Sequence, residues 1–167
     1  VLAAAALAES AGNRVIPVVV DHGLQSNSAE ITELVVKRLE KLGFTETFTA
    51  RAAVELIDGI EASARRARYK IFEQAIETYG ATIFLLGHNK NDQAESVLLG
   101  LARGSGTRSL SGMAPRMDKY RRPLLTISRA MTEAACEEAG IKFWRDPHNQ
   151  SMEYARVRVR DVVLPIM

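Results

Sequence analysis

Short apolar runs rich in β-branched residues alternate along this chain with longer segments of helical period. Residues 15–20 are apolar on both faces, which is typical of a strand inside a parallel sheet. Residues 28–42 then carry their apolar positions on one helical stripe, and Gly43 is a suitable residue to end that helix. Residues 44–50 alternate as a second strand does. The chain therefore begins as strand, helix, strand.

The same order repeats further along the chain. Residues 61–79 have helical period and precede Gly80, residues 82–86 form the clearest strand, and residues 91–102 are again helical. Repeated alternation of this kind predicts an α/β fold with an open parallel sheet, helices on both faces and right-handed crossovers.

The segment after Arg103 departs from this alternation. Its glycines, prolines and arginines predict a loop with one edge strand as far as Arg122. A helix is expected over residues 128–139, between Ser128 as N-cap and Gly140 as its stop.

Basic and apolar residues alternate over residues 154–160, which fits either a strand or the start of a connecting helix. No repeat or low-complexity linker interrupts the chain. We therefore expect one domain over residues 1–150, and a connection to a further region that begins within residues 151–167.

The composition agrees with a folded, soluble protein, since 47% of the 167 residues are hydrophobic and 25% are charged. No apolar run is long enough to cross a bilayer. The single cysteine, Cys136, excludes an internal disulfide, and no Cys/His cluster indicates structural zinc. We expect a reducing, cytoplasmic location. The apolar residues 1–8 follow no initiator methionine, so we also expect the chain to be part of a longer protein.

Charge is unevenly distributed along the chain. Residues 1–100 carry 10 Lys and Arg against 13 Asp and Glu, whereas residues 101–167 carry 12 against 7. A net positive second part is typical of a surface that binds an anionic partner, although ordinary enzymes also show such asymmetry. On charge alone, nucleic acid is as good an explanation as chance.

Two turns at predicted strand ends carry residues suited to a ligand. Asp21, His22 and Gly23 follow the first strand, and Gly87 and His88 follow the third. Ligands of open parallel sheets bind at the carboxyl ends of the strands, where glycine lets them approach the backbone. The alternative is that these residues only shape turns and cap helices.

Asp92, Glu95 and Ser96 share one face at the start of the helix that follows. Two carboxylates and a hydroxyl in this arrangement suit Mg²⁺ or a substrate ammonium group. Alternatively, acids in the first turn stabilise the helix dipole without any ligand.

Three arginines, Arg65, Arg66 and Arg68, lie within four positions near the start of another predicted helix. Arg65 and Arg68 share a face from which they could grip phosphates, or they could lie on a solvated surface with Glu61. The chain contains neither GxxxxGK[ST] nor GxGxxG, which argues against a P-loop kinase and an ordinary dinucleotide dehydrogenase.

An ordered series of motifs spans nearly the whole chain: VDHGL, ASARRARY, LLGHNKNDQAES, GLARGSGTRSLSGM, RRPLL, WRDPHNQ and ARVRVR. Together they resemble the tRNA(Ile)-lysidine synthetases, which belong to the N-type ATP pyrophosphatase (PP-loop) superfamily. The block from Gly87 to Met113 is the most specific, whereas VDHGL alone also resembles tRNA thiolases. The resemblance implies an adenine nucleotide alpha hydrolase-like fold.

Two departures from the family pattern are visible. The pyrophosphate loop SGGxDS is absent, and the family pattern would put this loop and the first strand before Val1. Asn91 stands where the GHxxDDQAET block of the family has the first of two acids, so one carboxylate is missing. Residues 1–150 would then be a catalytic domain without its first strand, and residues 151–167 would start the connection to a C-terminal tRNA-binding region.

The resemblance implies a ligase that uses ATP and Mg²⁺ to join free lysine to the wobble cytidine of an isoleucine tRNA with a CAU anticodon. ATP adenylates the base oxygen and releases pyrophosphate, and the lysine amine then displaces AMP to give lysidine. The alternatives are a tRNA thiolase of the same fold, which usually has paired cysteines, and a catalytically inactive nucleotide- or RNA-binding module. A homodimer is left open.

The resemblance also implies roles for individual residues. Arg65, His88 and Asp92 would be catalytic, with Arg68 in support and Asp92 also holding Mg²⁺, and Glu95 would bind lysine. ATP would contact residues around two strand ends and one helix: Val20, Asp21, His22, Gly23, Arg65, Gly87 and His88. The tRNA backbone would face a set of arginines: Arg103, Arg108, Arg116, Arg121, Arg122, Arg156, Arg158 and Arg160.

Overall fold

The computed structural model describes residues 9–21, 23, 27–53, 60–104, 106–143 and 151–167. The described chain divides into two compact units, one ending at Phe84 and the other running from Leu85 to Met167. Within these described ranges, no helix combines the length and the apolar character that crossing a bilayer requires.

The first unit contains a pair of parallel strands and the helices that connect them. Its elements are β1 (Val18–Asp21), α1 (Ser28–Lys41), β2 (Phe48–Arg51) and α2 (Ile60–Tyr79). β1 and β2 pair in parallel, with Val18 opposite Phe48 and Asp21 opposite Arg51. The predicted strand–helix–strand order and its parallel pairing are therefore confirmed for this part of the chain.

Both strands begin later than the apolar pattern predicts. Pro17 has no N–H to donate, and its carbonyl accepts the Phe48 N–H at 2.9 Å, so regular pairing starts after it. Phe44 does not pair but packs in the core with Leu39, against Val15. The apolar residues ahead of each strand therefore belong to the core and not to the strand ladder.

One face of α2 is buried within the first unit. Ala75 and Ile76 are almost fully buried, and the Phe72 ring contacts the Phe84 ring with centroids 4.6 Å apart. Gly80 follows the helix with a φ of 61°, which is the left-handed conformation that ends a helix. The predicted stop at this glycine is confirmed.

A second sheet has three short strands in the order β3-β5-β4. These strands are β3 (Phe84–Leu85), β4 (Arg116–Met117) and β5 (Tyr120–Arg121). β4 and β5 form an antiparallel hairpin, and its turn holds Asp118 at a φ of 50°, which aspartate tolerates better than most residues. The prediction of a single edge strand in this segment is wrong, because a turn at Asp118 folds it back on itself.

The second unit also contains helices. They are α3 (Lys90–Ala102), α4 (Thr107–Leu110), α5 (Arg129–Glu138) and α6 (Ala155–Arg158), which continues as a π-helical turn (Val159–Val163) and a 3₁₀ turn (Leu164–Ile166). Of the two predictions for residues 154–160, the helix is confirmed and the strand is wrong. α6 and its π-helical continuation pack against α3, and Val157 and Val159 are the buried members of the alternating segment.

Candidate active site

The turn after β1 is shaped by its own aspartate. The Asp21 Oδ1 accepts the Gly23 N–H at 2.7 Å, and Gly23 has a φ of 62°. A Cβ at Gly23 would lie 3.0 Å from the Nε of the exposed, flexible Arg51 side chain, so it is the left-handed backbone conformation that favours glycine at this position. Of the residues predicted to border the nucleotide here, Val20 and Asp21 end β1, Gly23 lies in the turn that follows, and His22 lies outside the described residues.

The arginines of α2 differ in exposure and in partners. Arg65 is exposed, its Nη2 donates to the Tyr69 hydroxyl at 3.2 Å, and its guanidinium lies 4.8 Å from the Tyr69 ring centroid. Arg66 Nη2 donates to the Ser63 hydroxyl at 3.1 Å, whereas Arg68 is half-buried. Stacking on an aromatic ring holds the Arg65 fork in a defined position while its outer face stays open to an anion.

The start of α3 is closed by a capping box. The Asn89 Oδ1 accepts the N–H groups of Asn91 at 2.9 Å and Asp92 at 3.1 Å. The Asp92 Oδ2 in turn accepts the Asn89 N–H at 2.9 Å, which satisfies donors that the helix itself cannot use. Gly87, which is exposed, and His88, which is half-buried, directly precede this box. Asp92 therefore has a structural role whether or not it also binds a metal ion.

Asp92 and Glu95 form a cluster with two arginines. Glu95 is fully buried, and its Oε1 accepts the Arg160 Nε–H at 2.7 Å. The Arg129 Nη2 lies 3.3 Å from the Asp92 Oδ1 and 3.7 Å from the Glu95 Oε1. Two guanidinium groups thus offset two carboxylates, as a buried charge requires.

One oxygen of this cluster is unpaired. The Glu95 Oε2 is buried and has no hydrogen-bond partner within the part of the chain that the structure describes. A buried acceptor of this kind is uncommon in folded proteins and is costly to leave unpaired. A donor from beyond the described residues would be stabilised at this oxygen.

The cluster raises the pKa of the Arg160 guanidinium above its usual value. Partial burial alone would lower this pKa, but the hydrogen bond to Glu95 and the charges of Glu95, Asp92 and Asp161 outweigh it. Arg160 is therefore a permanent cation of this site.

Arg129 is a site residue that the sequence reasoning missed. It is the first residue of α5, after the N-cap Ser128. A cation in the first turn of a helix is electrostatically unfavourable unless acids compensate it. This conflict is the one signal in the sequence that could have pointed to Arg129.

Two hydrogen bonds from the Gln93 side chain join α3 to the segment before the hairpin. The Gln93 Oε1 accepts the Met113 N–H at 2.7 Å, and the Gln93 Nε2 donates to the Met113 carbonyl at 3.1 Å. Gly112 has a φ of 64°, and a Cβ there would lie 2.7 Å from the Gln93 Nε2. The predicted motif from Gly87 to Met113 is thus held together by side chains of α3.

The predicted tRNA-facing arginines divide into two groups. Arg103 and Arg116 are exposed and Arg121 and Arg156 are half-buried. Arg158 is also exposed, and its Nη1 donates to the carbonyls of residues 152 and 153 at 2.8 Å each. These residues remain suited to an anionic partner, whereas the Arg108 side chain lies outside the described residues.

Arg122 and Arg160 differ from the expectation of a surface role. Arg122 is only 4% exposed, and its Nη1 donates to the Ala114 carbonyl at 2.8 Å. Arg160 is bound to Glu95, and its side chain is 19% exposed. Both guanidinium groups therefore stabilise the protein's own polar groups, which corrects their assignment to the outer surface.

The described residues contain no group of three or more His, Cys, Asp or Glu that could hold a metal ion. Asp92 is the predicted metal ligand, and its side chain is 18% exposed. Magnesium is commonly held by one or two carboxylates, with phosphate oxygens and water completing its shell. A single carboxylate fits that mode of binding and does not fit a metal site made of protein ligands alone.

All 167 residues of the chain match the PP-loop domain family. The chain is 46% identical over 168 residues to the tRNA(Ile)-lysidine synthase of Leifsonia xyli subsp. xyli, and 44% identical over 165 residues to that of Thermobifida fusca. Each alignment covers 99% of this chain and 51% of the relative, so the chain spans about half the length of these curated relatives. The resemblance drawn from the motifs is confirmed.

A solved structure shares the fold at low sequence identity. The U34-tRNA thiolase NcsA from Methanococcus maripaludis, determined with its [4Fe-4S] cluster, matches with a TM-score of 0.73 and 20% identity. The match covers 96% of this chain and 60% of that chain. The predicted fold class, parallel strands with helices in an adenine nucleotide alpha hydrolase-like arrangement, is confirmed.

Proposed function

The chain belongs to the PP-loop domain family, and from this membership we propose that it joins lysine to the wobble cytidine of an isoleucine tRNA at the expense of ATP. The observation that carries the proposal is the similarity to relatives named tRNA(Ile)-lysidine synthase along 99% of the chain. In this proposal, the chain carries the residues that catalyse the reaction.

The reaction has two balanced steps. The oxygen of the cytidine base attacks the α-phosphate of ATP, which releases pyrophosphate and leaves an adenylated base. The ε-ammonium group of lysine then loses a proton to solvent, the resulting amine attacks the carbon that bears this oxygen, and AMP leaves with the oxygen while the new nitrogen releases a second proton. The protein must therefore neutralise phosphate charge in the first step and position an amine in the second.

The acidic face of α3 supports a lysine site. The Glu95 Oε2 lacks a protein donor among the described residues, and Asp92 lies one helical turn before it. The ammonium group of lysine carries several N–H donors and one positive charge, so it would satisfy this oxygen and balance the acids. Glu95 is the proposed lysine ligand.

The family resemblance assigns ATP binding to residues of two turns, one that follows β1 and one that follows β3. In the first, Val20, Asp21, His22 and Gly23 would border the adenine, and glycine would let it approach the backbone. In the second, Gly87 and His88 would lie beside the phosphates. Splitting this set between two turns is typical of nucleotide sites in open α/β sheets.

Phosphate charge would be offset by a cation and an arginine. Asp92 would hold Mg²⁺, which when bound would neutralise charge on the phosphate oxygens. Arg65, held by Tyr69, would stabilise the charge that develops on the phosphate during adenylation, with Arg68 in support. These assignments make Arg65, His88 and Asp92 the proposed catalytic residues.

Binding of tRNA would use exposed and half-buried arginines of the second unit. The set comprises Arg103, Arg116, Arg121, Arg156 and Arg158, to which Arg108 is added from the sequence. Phosphate contacts of this kind give affinity without reading the base sequence. A cytoplasmic location completes the proposal.

The test uses the full-length protein with an unmodified isoleucine tRNA, ATP, Mg²⁺ and labelled lysine. We expect AMP release that needs the tRNA, and incorporation of lysine into it in equal amount. The matched control is the same tRNA with uridine at the wobble position, which should take up no lysine.

Two results would reject the proposal. AMP release that responds to a sulfur donor and not to lysine would identify a thiolase, although the 167 residues hold one cysteine, too few to bind an iron–sulfur cluster. Binding of ATP and tRNA without any AMP release would identify an inactive binding module.

A further inference from the structure

Two hydrogen bonds join the start of α3 to the start of α5, one between backbones and one from a backbone N–H to a side chain. The Lys90 N–H donates to the Ile127 carbonyl at 2.9 Å. The Arg129 N–H donates to the Asn91 Oδ1, also at 2.9 Å. These bonds fix the first residue of α5 relative to the first turn of α3.

With its backbone held in this way, the Arg129 side chain extends to two carboxylates of α3. Its Nη2 is 3.3 Å from the Asp92 Oδ1 and 3.7 Å from the Glu95 Oε1. One nitrogen therefore faces two carboxylates that lie on the same side of α3. Without this cation the two acids would repel each other across one helical turn.

The remaining contacts of the two acids show what Arg129 leaves open. The Asp92 Oδ2 is held by the Asn89 N–H, and Arg160 binds the same Glu95 oxygen that Arg129 approaches. The Glu95 Oε2 remains unpaired. Arg129 and Arg160 thus engage one oxygen of Glu95 and leave the other for a ligand.

We propose that Arg129 is a positioning residue, anchored by Asn91, that orients Asp92 and Glu95 for the lysine step. This inference rests on the proposed function, because it assigns a purpose to the same acidic pair. It also gives Asn91 a role that needs no charge. Its amide oxygen accepts a backbone N–H, and a carboxylate at that position could do the same.

The test compares Arg129→Gln and Asn91→Ala with the wild-type full-length protein. Arg129→Gln should lower kcat for lysine transfer at least tenfold and raise the KM for lysine, because Asp92 and Glu95 lose their common cation. Adenylation, followed as tRNA-dependent pyrophosphate exchange without lysine, should change less than lysine transfer. The KM for tRNA should stay within twofold of the wild-type value.

The Asn91 variants separate positioning from simple stabilisation. Asn91→Ala should impair lysine transfer in the same way as Arg129→Gln, and Asn91→Asp, which keeps an acceptor oxygen, should restore it to within twofold. The double variant Asn91→Ala/Arg129→Gln should be no slower than Arg129→Gln alone, since both changes disrupt the same contact of Arg129 with Asp92 and Glu95. Arg14→Gln, which removes an exposed arginine paired with Glu46, is the matched control and should leave all constants unchanged.

The outcomes distinguish this inference from the function on which it rests. A wild-type protein that releases no AMP in the presence of lysine and tRNA overturns both. An active wild-type protein whose Arg129→Gln variant keeps its lysine kcat and KM overturns the inference alone, even if its unfolding midpoint falls. If Arg129→Gln does not fold, Asn91→Ala decides the matter, and unchanged lysine constants in that variant overturn the inference.

Discussion

Glu95 is the residue at which charge and burial conflict most strongly. It is fully buried, yet it lies on the helix face that the sequence predicts to meet a ligand. The Glu95 Oε1 is paired with Arg160, whereas the buried Oε2 has no hydrogen-bond partner among the described residues. Removing one member of a buried ion pair leaves the other charge uncompensated, which is more costly than the pair is stabilising.

We predict that Glu95→Gln destabilises the full-length protein by about 3 kcal/mol, because Arg129 and Arg160 would then share only one acid. Chemical denaturation of the purified variant measures this loss. Glu33→Gln is the control, since Glu33 pairs with Lys37 on the exposed face of α1, and it should leave the denaturation midpoint unchanged. Equal midpoints for Glu95→Gln and the wild type would show that the cluster contributes nothing to stability.

Asp92 combines a cap with a proposed metal site, and Asn can replace it in the first role only. Asp92→Asn keeps an oxygen for the Asn89 N–H, so we expect a small change in stability. The rate of adenylation should fall by about 100-fold or more, since a neutral ligand binds Mg²⁺ weakly and stabilises less charge. Pyrophosphate exchange measures the rate, and Asp118→Asn in the hairpin turn is the control. A variant that exchanges at the wild-type rate would remove Asp92 from the mechanism.

Arg65 is exposed but held against Tyr69, which a flexible surface arginine would not be. Arg65→Lys keeps the charge and loses the planar fork, so adenylation should slow by about tenfold. Arg66→Lys, on the same turn of α2, should have no effect. An unaltered rate in Arg65→Lys would return this residue to the solvated-helix alternative.

At the scale of elements, α3 organises most of the proposed site through its first turn. Asn89 and Asp92 close its N-terminus, Gln93 holds the Met113 backbone, and Asn91 holds the start of α5. Four of the five side chains at positions 89–93 thus make structural hydrogen bonds before any ligand is bound. The same helix end can serve both purposes because a carboxylate oxygen can accept more than one donor.

The capping box should be worth a measurable amount of stability. We predict that Asn89→Ala lowers the free energy of unfolding by about 1 to 2 kcal/mol, because two N–H groups at a partly buried helix end lose their acceptor. Asn27→Ala is a matched control, since Asn27 also precedes a helix but makes no side-chain cap. Asn89→Ser should recover most of the loss, and thermal unfolding measures all three. Equal losses for Asn89→Ala and Asn27→Ala would contradict the assignment.

At the scale of the whole molecule, the arginines of the basic second part of the chain divide into an inner and an outer group. The basic second part of the chain contributes the buried Arg122 and the half-buried Arg160 to internal pairing and leaves other arginines on the surface. If the proposed tRNA surface is correct, the outer group would release counterions from tRNA, and net charge would overstate the number of phosphate contacts.

Binding of tRNA to the full-length protein should therefore weaken steeply with salt. For about five phosphate contacts we expect the affinity to fall by about 500-fold between 50 and 200 mM salt. A variant with Gln at Arg103, Arg116 and Arg158 should show a shallower dependence, and Arg14→Gln should not. Filter binding across a salt series measures the slope, and a slope shared by all three proteins would reject these arginines as contacts.

The sequence by itself determined the alternation of strands and helices, the glycine stops and the family. These features depend on local conformational preference and on apolar period, which neighbouring residues are sufficient to define. The motif around Asp92 and Glu95 was also visible, because i and i+3 positions share a helix face whatever the rest of the fold does.

Only the tertiary structure decided which charges meet. Arg129 and Arg160 lie far along the chain from Glu95, yet both reach it, and Arg122 turned inward although its neighbours gave no sign of it. The hairpin around Asp118 and the helical state of residues 154–160 depended in the same way on what each segment packs against. Pairing between distant residues is a property of the folded arrangement, since burial sets both the energetic cost of an unpaired charge and the partner that relieves it.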